Sequence, residues 1–160
     1  MQTSESRLFT ARGEFHACID ELLVRTRLLL ATYDHDFSDW PLESRRCFDA
    51  LTQLLGRPGA GWRLIVRDPD WLERHGARFG QLRRLHADRI QCRCAPPAVA
   101  PAAGIALGDR NQLLRRADLT AFRGRALFAA EPAEIDPWRL RFEALWDEST
   151  PCLVATPLGL

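Results

Sequence analysis

Three carboxylates and an imidazole crowd one short stretch of the chain, Asp34-His35-Asp36 and Asp39. Oxygen and imidazole donors at that density suit a divalent cation, or the orientation of an attacking water. Asp68 and Asp70 form a second acidic pair, and both groups follow apolar runs that read as strands. Ligands of open α/β sheets bind beyond the carboxyl ends of strands, so the two groups are expected to lie near one another. Against a metal stands the absence of a second histidine at ligand spacing, and short acidic residues are ordinary helix caps and turn formers. A metal-dependent hydrolase built on Asp34, His35, Asp36, Asp68 and Asp70 is therefore the alternative reading. No metal or other cofactor is expected.

The cationic side chains tell more by their type. All 22 are arginine, and the chain has no lysine. That excludes Schiff-base chemistry, a P-loop lysine on a nucleotide phosphate, and any active site in which lysine holds a phosphoryl oxygen. Arginine matches phosphate through its planar fork, so Arg115-Arg116, Arg123 and Arg125, with Asp109 and Arg110, are candidates for a phosphorylated ligand. Arg83-Arg84 is a further pair. The 21 acidic residues interspersed with them bring the net charge to +1, which argues against gross nucleic-acid affinity. His16, His75 and His86 stand without an acidic or thiol partner in sequence and receive no role.

Five cysteines is an odd number with only Cys92 and Cys94 close together, so all five are expected reduced. Cys92 and Cys94 lie two apart on a predicted strand and share a face. No partner pair completes a zinc site, and they read as small buried hydrophobes. No apolar run is long enough to span a bilayer, which makes a cytoplasmic location and no membrane association the default expectation. The exclusive use of arginine with abundant alanine and leucine fits a GC-rich bacterial coding bias.

The elements that must position these residues are readable from hydrophobic period. Phe15, Cys18, Ile19, Leu22 and Leu23 recur at helical spacing. Leu28 to Tyr33 is a continuous apolar run, as in a strand buried on both faces. Cys47, Phe48, Leu51, Leu54 and Leu55 make a second helical stripe, terminated by Gly56-Arg57-Pro58-Gly59. Trp62 to Val66 is a strand, Asp68-Pro69-Asp70 a turn, and Phe79, Leu82 and Leu85 mark a helix leading into a strand over 89–94. This β-α-β-α-β alternation predicts a parallel sheet covered by helices. An alanine- and proline-rich connector from Ala95 to Ala103 follows, then short antiparallel strands over 104–107, 112–115 and 125–129 at the sheet edge. A final helix is predicted with Asp136 as N-cap, Pro137 at its first position, Ile135 stapled onto Leu140, and an apolar face of Trp138, Phe142, Leu145 and Trp146. The tail from 150 to 160 is apolar, carries two prolines, and should lie extended.

This order, with a closing helix bearing phenylalanine and tryptophan, resembles one half of a phospholipase D-like domain. The resemblance implies a three-layer α/β/α sandwich with a mixed sheet, formed as one domain by residues 1–160. In that family the meander opens on H-x-K-x4-D, in which histidine is the nucleophile on phosphorus and lysine stabilises charged oxygens. Aligned on Gly104-Ile105-Ala106-Leu107-Gly108-Asp109, the aspartate is Asp109, the histidine position is Ala102 and the lysine position Gly104. The trailing Gly-Ser and Asn positions fall at Arg116, Ala117 and Thr120. The resemblance thus implies a degenerate site with no catalytic residue and a role in binding a phosphorylated ligand or a protein partner. It also implies a homodimer, since such halves are fused or paired across a two-fold axis. Asp39-Trp40-Pro41-Leu42 and the segment Phe142 to Ser149 are similar to those of an uncharacterised bacterial family of such domains.

Overall fold

The computed structural model describes residues 4–101 and 103–153. Eight strands form one mixed sheet: β1 (Glu5–Phe9), β2 (Leu29–Asp34), β3 (Gly61–Val66), β4 (Ile90–Cys94), β5 (Gly104–Gly108), β6 (Gln112–Arg116), β7 (Gly124–Phe128) and β8 (Thr150–Pro151). Their spatial order is β1-β7-β6-β5-β2-β3-β4-β8. Strands β2, β3 and β4 are parallel, and all other pairings are antiparallel. The helices are α1 (Arg12–Arg25), α2 (Arg45–Leu55), α3 (Asp70–His75), α4 (Ala77–Leu85) and α5 (Pro132–Glu148).

The β2 sequence lacks alternation because both of its faces are covered. Leu30 belongs to a core shared with α1, α2 and α4, whereas Ala31 and Tyr33 belong to a second core under α5. That division makes the three-layer sandwich, and the predicted fold class is the one observed. The polar Thr32 is tolerated inside because its hydroxyl accepts the Trp62 indole N–H at 2.9 Å. The meander is integrated more deeply than a sheet-edge addition: β5 pairs directly with β2, so it lies at the centre of the sheet.

Three other expectations are corrected. Helix α5 begins at Pro132, not Pro137, with a capping box between Glu131 and Glu134; Pro137 is inside the helix. Ile135 is buried while Leu140 is exposed, so the expected staple between them is not made. Strand β1 escaped notice because its five residues follow a polar leader and carry arginine and glutamate; it is defined by pairing with β7. Finally, Cys94 and Cys152 form a disulfide, leaving Cys18, Cys47 and Cys92 free. The chain returns as β8 beside β4, and the Cys152 N–H donates to the Cys92 carbonyl at 3.1 Å. Contact across 58 residues has no trace in local spacing. Ala102 and the tail beyond Leu153 lie outside the described residues.

Candidate functional site

Because β2 and β5 run antiparallel, the carboxyl end of β2 stands beside the start of β5. Tyr33 pairs with Ile105, and Gly104 pairs with Arg116 on β6. Asp34, Gly104 and Arg116 consequently form a row across three adjacent strands, on the face covered by α1. A pocket of about 470 Å³ opens there. Asp34, His35, Asp36 and Asp39 line it from one side, Arg67 and Arg116 contribute positive charge, and Asp118 lies on the rim.

Each acidic group has a local task. Asp34 is 2% exposed, and its Oδ2 accepts the N–H groups of Phe37 at 2.9 Å and Asp36 at 3.3 Å. Those bonds shape a turn in which Phe37 takes a positive φ of 64°. Asp36 accepts from the Ser38 N–H and hydroxyl, and Asp118 does the same for Thr120. Asp39 pairs with Arg116 at 3.0 Å, and its carbonyl oxygen lies 2.7 Å from the His16 Nε2. Burial pushes the Asp34 carboxyl up to about 6, opposed by the Phe37 N–H and by Arg116. Asp68 is a neighbour of this cluster, its N–H donating to the His35 carbonyl at 2.8 Å, but it does not line the pocket, and its carboxylate accepts the Asp70 N–H at 3.0 Å at the start of α3. Among the described residues no three His, Cys, Asp or Glu side chains are arranged to hold a metal ion. The acidic residues singled out for a metal are thus dispersed over turn and cap positions.

The arginine candidates also separate. Arg116 is buried, donating to the carbonyls of Ala121 at 2.7 Å and Leu119 at 3.1 Å while its guanidinium lies over Phe122. It holds the loop between β6 and β7 and has no exposed fork to offer. Its neighbour Arg115 faces the opposite side of the sheet, directly across from Arg125 on β7. Arg115 sits 3.6 Å from the centre of the Trp138 ring, and Arg141 lies over the same ring at 4.5 Å. Burial and the charges of Arg141 and Arg125 lower the Arg115 pKa. Sequence reading placed Trp138 on the apolar face of the closing helix and gave Arg141 no role; only the contact of α5 with β6 joins them to Arg115. Arg123 is exposed beyond the end of β6.

Asp109 and Arg110 are at the far end of β5 from Gly104, beside a groove of about 1090 Å³ whose lining includes Arg27, Leu28 and Arg139. The Asp109 carboxylate accepts the backbone N–H groups of Arg27 at 2.7 Å, Leu28 at 2.9 Å and Leu29 at 2.9 Å. A side chain so engaged ties loops together. Around Gly104 the chain is tight: a β-carbon there would stand 3.2 Å from Asp34 Oδ1 and 3.3 Å from a Leu119 methyl.

Comparison with known proteins agrees with this architecture. TrmBL2, described as an archaeal chromatin protein with a novel mode of DNA binding, superposes with a TM-score of 0.66 at 12% identity. That match covers 92% of this chain and 54% of TrmBL2, so the chain spans about half of that protein. Nuc from Salmonella typhimurium, a phospholipase D family member, gives 0.65 at 8% identity over 94% of this chain and 99% of its own. NucT from Helicobacter pylori gives 0.65 at 11% identity over 94% and 100%. No curated protein matches the sequence. At these identities the likeness is one of fold, and the fold is phospholipase D-like. A family model described as a domain of unknown function, DUF7931, matches residues 11–155, and the chain belongs to that family.

Proposed function

We infer that this chain is a phospholipase D-like domain without phosphodiesterase activity, and that it acts by binding. The observation carrying this reading is the contact between Gly104 and Asp34. The residue aligned with the family's lysine has no side chain, and the space beside it is bounded by a buried carboxylate and a leucine methyl. A carboxylate there repels a phosphoryl group, where phosphoryl chemistry needs fixed positive charge. Arg116 does not substitute, because its donors are directed to Asp39, Leu119 and Ala121. The metal-hydrolase alternative is not favoured, since its carboxylates serve separate turns and caps.

Micromolar protein incubated with bis(p-nitrophenyl) phosphate and with a fluorogenic phospholipid tests the reading. No turnover above the buffer rate is expected. Turnover that survives repurification and is abolished by Asp34→Asn would overturn it, identifying the pocket as a working active site with another nucleophile.

A second binding reading is favoured by one observation. Arg115 and Arg141 lie over the Trp138 ring and Arg125 is directly across the strand pair from Arg115, and none of the three forms an ion pair among the described residues. Burial and the charges of Arg141 and Arg125 lower the Arg115 pKa, so an anion beside it is stabilising, and a phosphate group matches the guanidinium fork. A phosphorylated ligand is therefore proposed for the α5 face, away from the degenerate pocket.

A further inference from the structure

The pocket over Gly104 holds one group that the fold leaves unsatisfied. Asp34 is almost wholly buried, and although its Oδ2 accepts two backbone N–H groups, its Oδ1 has no hydrogen-bond partner among the described residues. A buried carboxylate oxygen without a donor is costly, so such an atom marks a place where a donor is missing. The neighbouring cation is committed elsewhere: Arg116 turns its guanidinium to Asp39 and to two loop carbonyls.

The surroundings define what donor fits. Gly104 presents no side chain, and the atoms nearest its missing β-carbon are Asp34 Oδ1, the Leu119 methyl and the Tyr33 carbonyl oxygen at 3.5 Å. Leu119 is half-buried in the turn closed by the Ala121 N–H to the Asp118 carbonyl and lines the pocket together with Asp34, its methyl beside the same point over Gly104 that Oδ1 faces. Four carboxylates line the pocket against Arg67 and Arg116, and Asp39 already neutralises Arg116. The excess is negative and favours a cation. An organic cation bearing N–H donors supplies both the positive charge and the hydrogen-bond donor that Oδ1 lacks. Ala100, Pro101 and Leu119 supply an apolar wall for a short hydrocarbon chain, and the volume is within the range of small-molecule sites.

The geometry points to a binding site for a small primary amine, taken up as its ammonium ion, with Asp34 as counter-ion and Leu119 as the side chain that gives way. The inference rests on the reading that this pocket does no phosphodiester chemistry. It adds a ligand class to the pocket: an amine's ammonium stands over Gly104, where the family's lysine would have been.

The test is titration of the isotope-labelled full chain at pH 8, where Asp34 is ionised, with n-butylammonium, n-butanol and tetramethylammonium. Saturable amide shifts at Asp34, Gly104 and Leu119 are expected with n-butylammonium. The neutral probe and the probe without N–H groups should bind at least about tenfold more weakly, the factor expected for loss of a charged hydrogen bond. Asp34→Asn should weaken n-butylammonium by a similar factor, and Gly104→Ala, which narrows the approach to Oδ1, should weaken it as well. Absence of saturable shifts in the native chain, an equal response to n-butanol, or unchanged affinity in Asp34→Asn would each overturn the site. The phosphodiester assay is independent: turnover there sinks the functional reading even if the amine binds, and failure of the amine to bind leaves that reading intact.

Discussion

Asp109 and Leu29 hold each other in both directions. The Leu29 N–H donates to Asp109 Oδ1 at 2.9 Å, and the Asp109 N–H donates to the Leu29 carbonyl at 2.7 Å. The reciprocal pair extends the β2–β5 ladder past its last regular rung, Leu30 with Gly108. The same carboxylate also takes the N–H groups of Arg27 and Leu28, which follow α1 and have no strand partner of their own. Asp109 thus fastens the entry to the central strand.

Replacing Asp109 by alanine is expected to destabilise the fold by about 2–4 kcal/mol, combining three lost charged hydrogen bonds at a partly exposed site with an alanine held at positive φ. Asp109 has φ of 50°. Asp109→Asn, which tolerates that conformation and keeps one acceptor, should fall between the two. Urea unfolding of the three proteins checks the order. Equal stability for Asp109→Ala and the native chain would show that the carboxylate is not holding these loops.

The sequence exposed the fold through its periods but not the site through its pairs. The apolar run of β2 and the stripes of α1 and α2 are dictated by burial, so they can be read without contacts. The relationship of Asp34 to Gly104 is set by the antiparallel register of β2 with β5, across a connector whose length fixes no register. Arg115 and Arg116 look like a pair in sequence, yet strand alternation sends one to Trp138 and the other to Asp39. Pro137 signalled a helix start because proline suits a first turn, but Glu131 and Glu134 cap the helix one and a half turns earlier.

Asp34 should make stability fall as pH rises through the mildly acidic range. Below about pH 3 the carboxyl is neutral in both folded and unfolded chains, and burial carries no charge penalty. Between its ordinary value of 3.8 and its folded value of about 6, the unfolded chain has released the proton that the folded chain keeps. Stability therefore declines across that window, and above it the full penalty of roughly 3 kcal/mol is present. Asp34→Asn removes the titration. Its stability relative to the native chain should rise by roughly 3 kcal/mol between pH 3 and a plateau above pH 7, read by urea unfolding at each pH. A difference that does not change with pH would mean that the buried carboxyl titrates normally.

The Cys94–Cys152 bond gives a count that chemistry can check. Thiol titration of the denatured, unreduced chain should find three free groups, Cys18, Cys47 and Cys92, and titration after reduction should find five. Burial raises the pKa of all three free thiols, so the folded protein should react slowly. Closing a loop over 58 residues is worth roughly 4 kcal/mol on chain-entropy grounds. Cys152→Ser should therefore lower stability by a few kcal/mol in non-reducing buffer and match the native chain in reducing buffer. Five free thiols in the unreduced chain would remove the bond.

The arginines around Trp138 make the anion-binding reading directly measurable. Pyrophosphate at low ionic strength should bind to the native chain and change its tryptophan fluorescence, because a guanidinium 3.6 Å from the Trp138 ring centre moves when an anion engages it. The chain has four other tryptophans, so Trp138→Phe must abolish that signal while leaving binding by calorimetry. Removing two of the three cations in Arg125→Ala with Arg141→Ala should weaken pyrophosphate at least about tenfold and flatten the dependence on salt, as loss of charge-assisted bonds requires. Arg45→Ala with Arg46→Ala, two exposed arginines at the start of α2, removes the same net charge from another face and should change affinity little. If both double variants weaken binding equally, the anion senses only net charge and the Arg115 cluster is not its site.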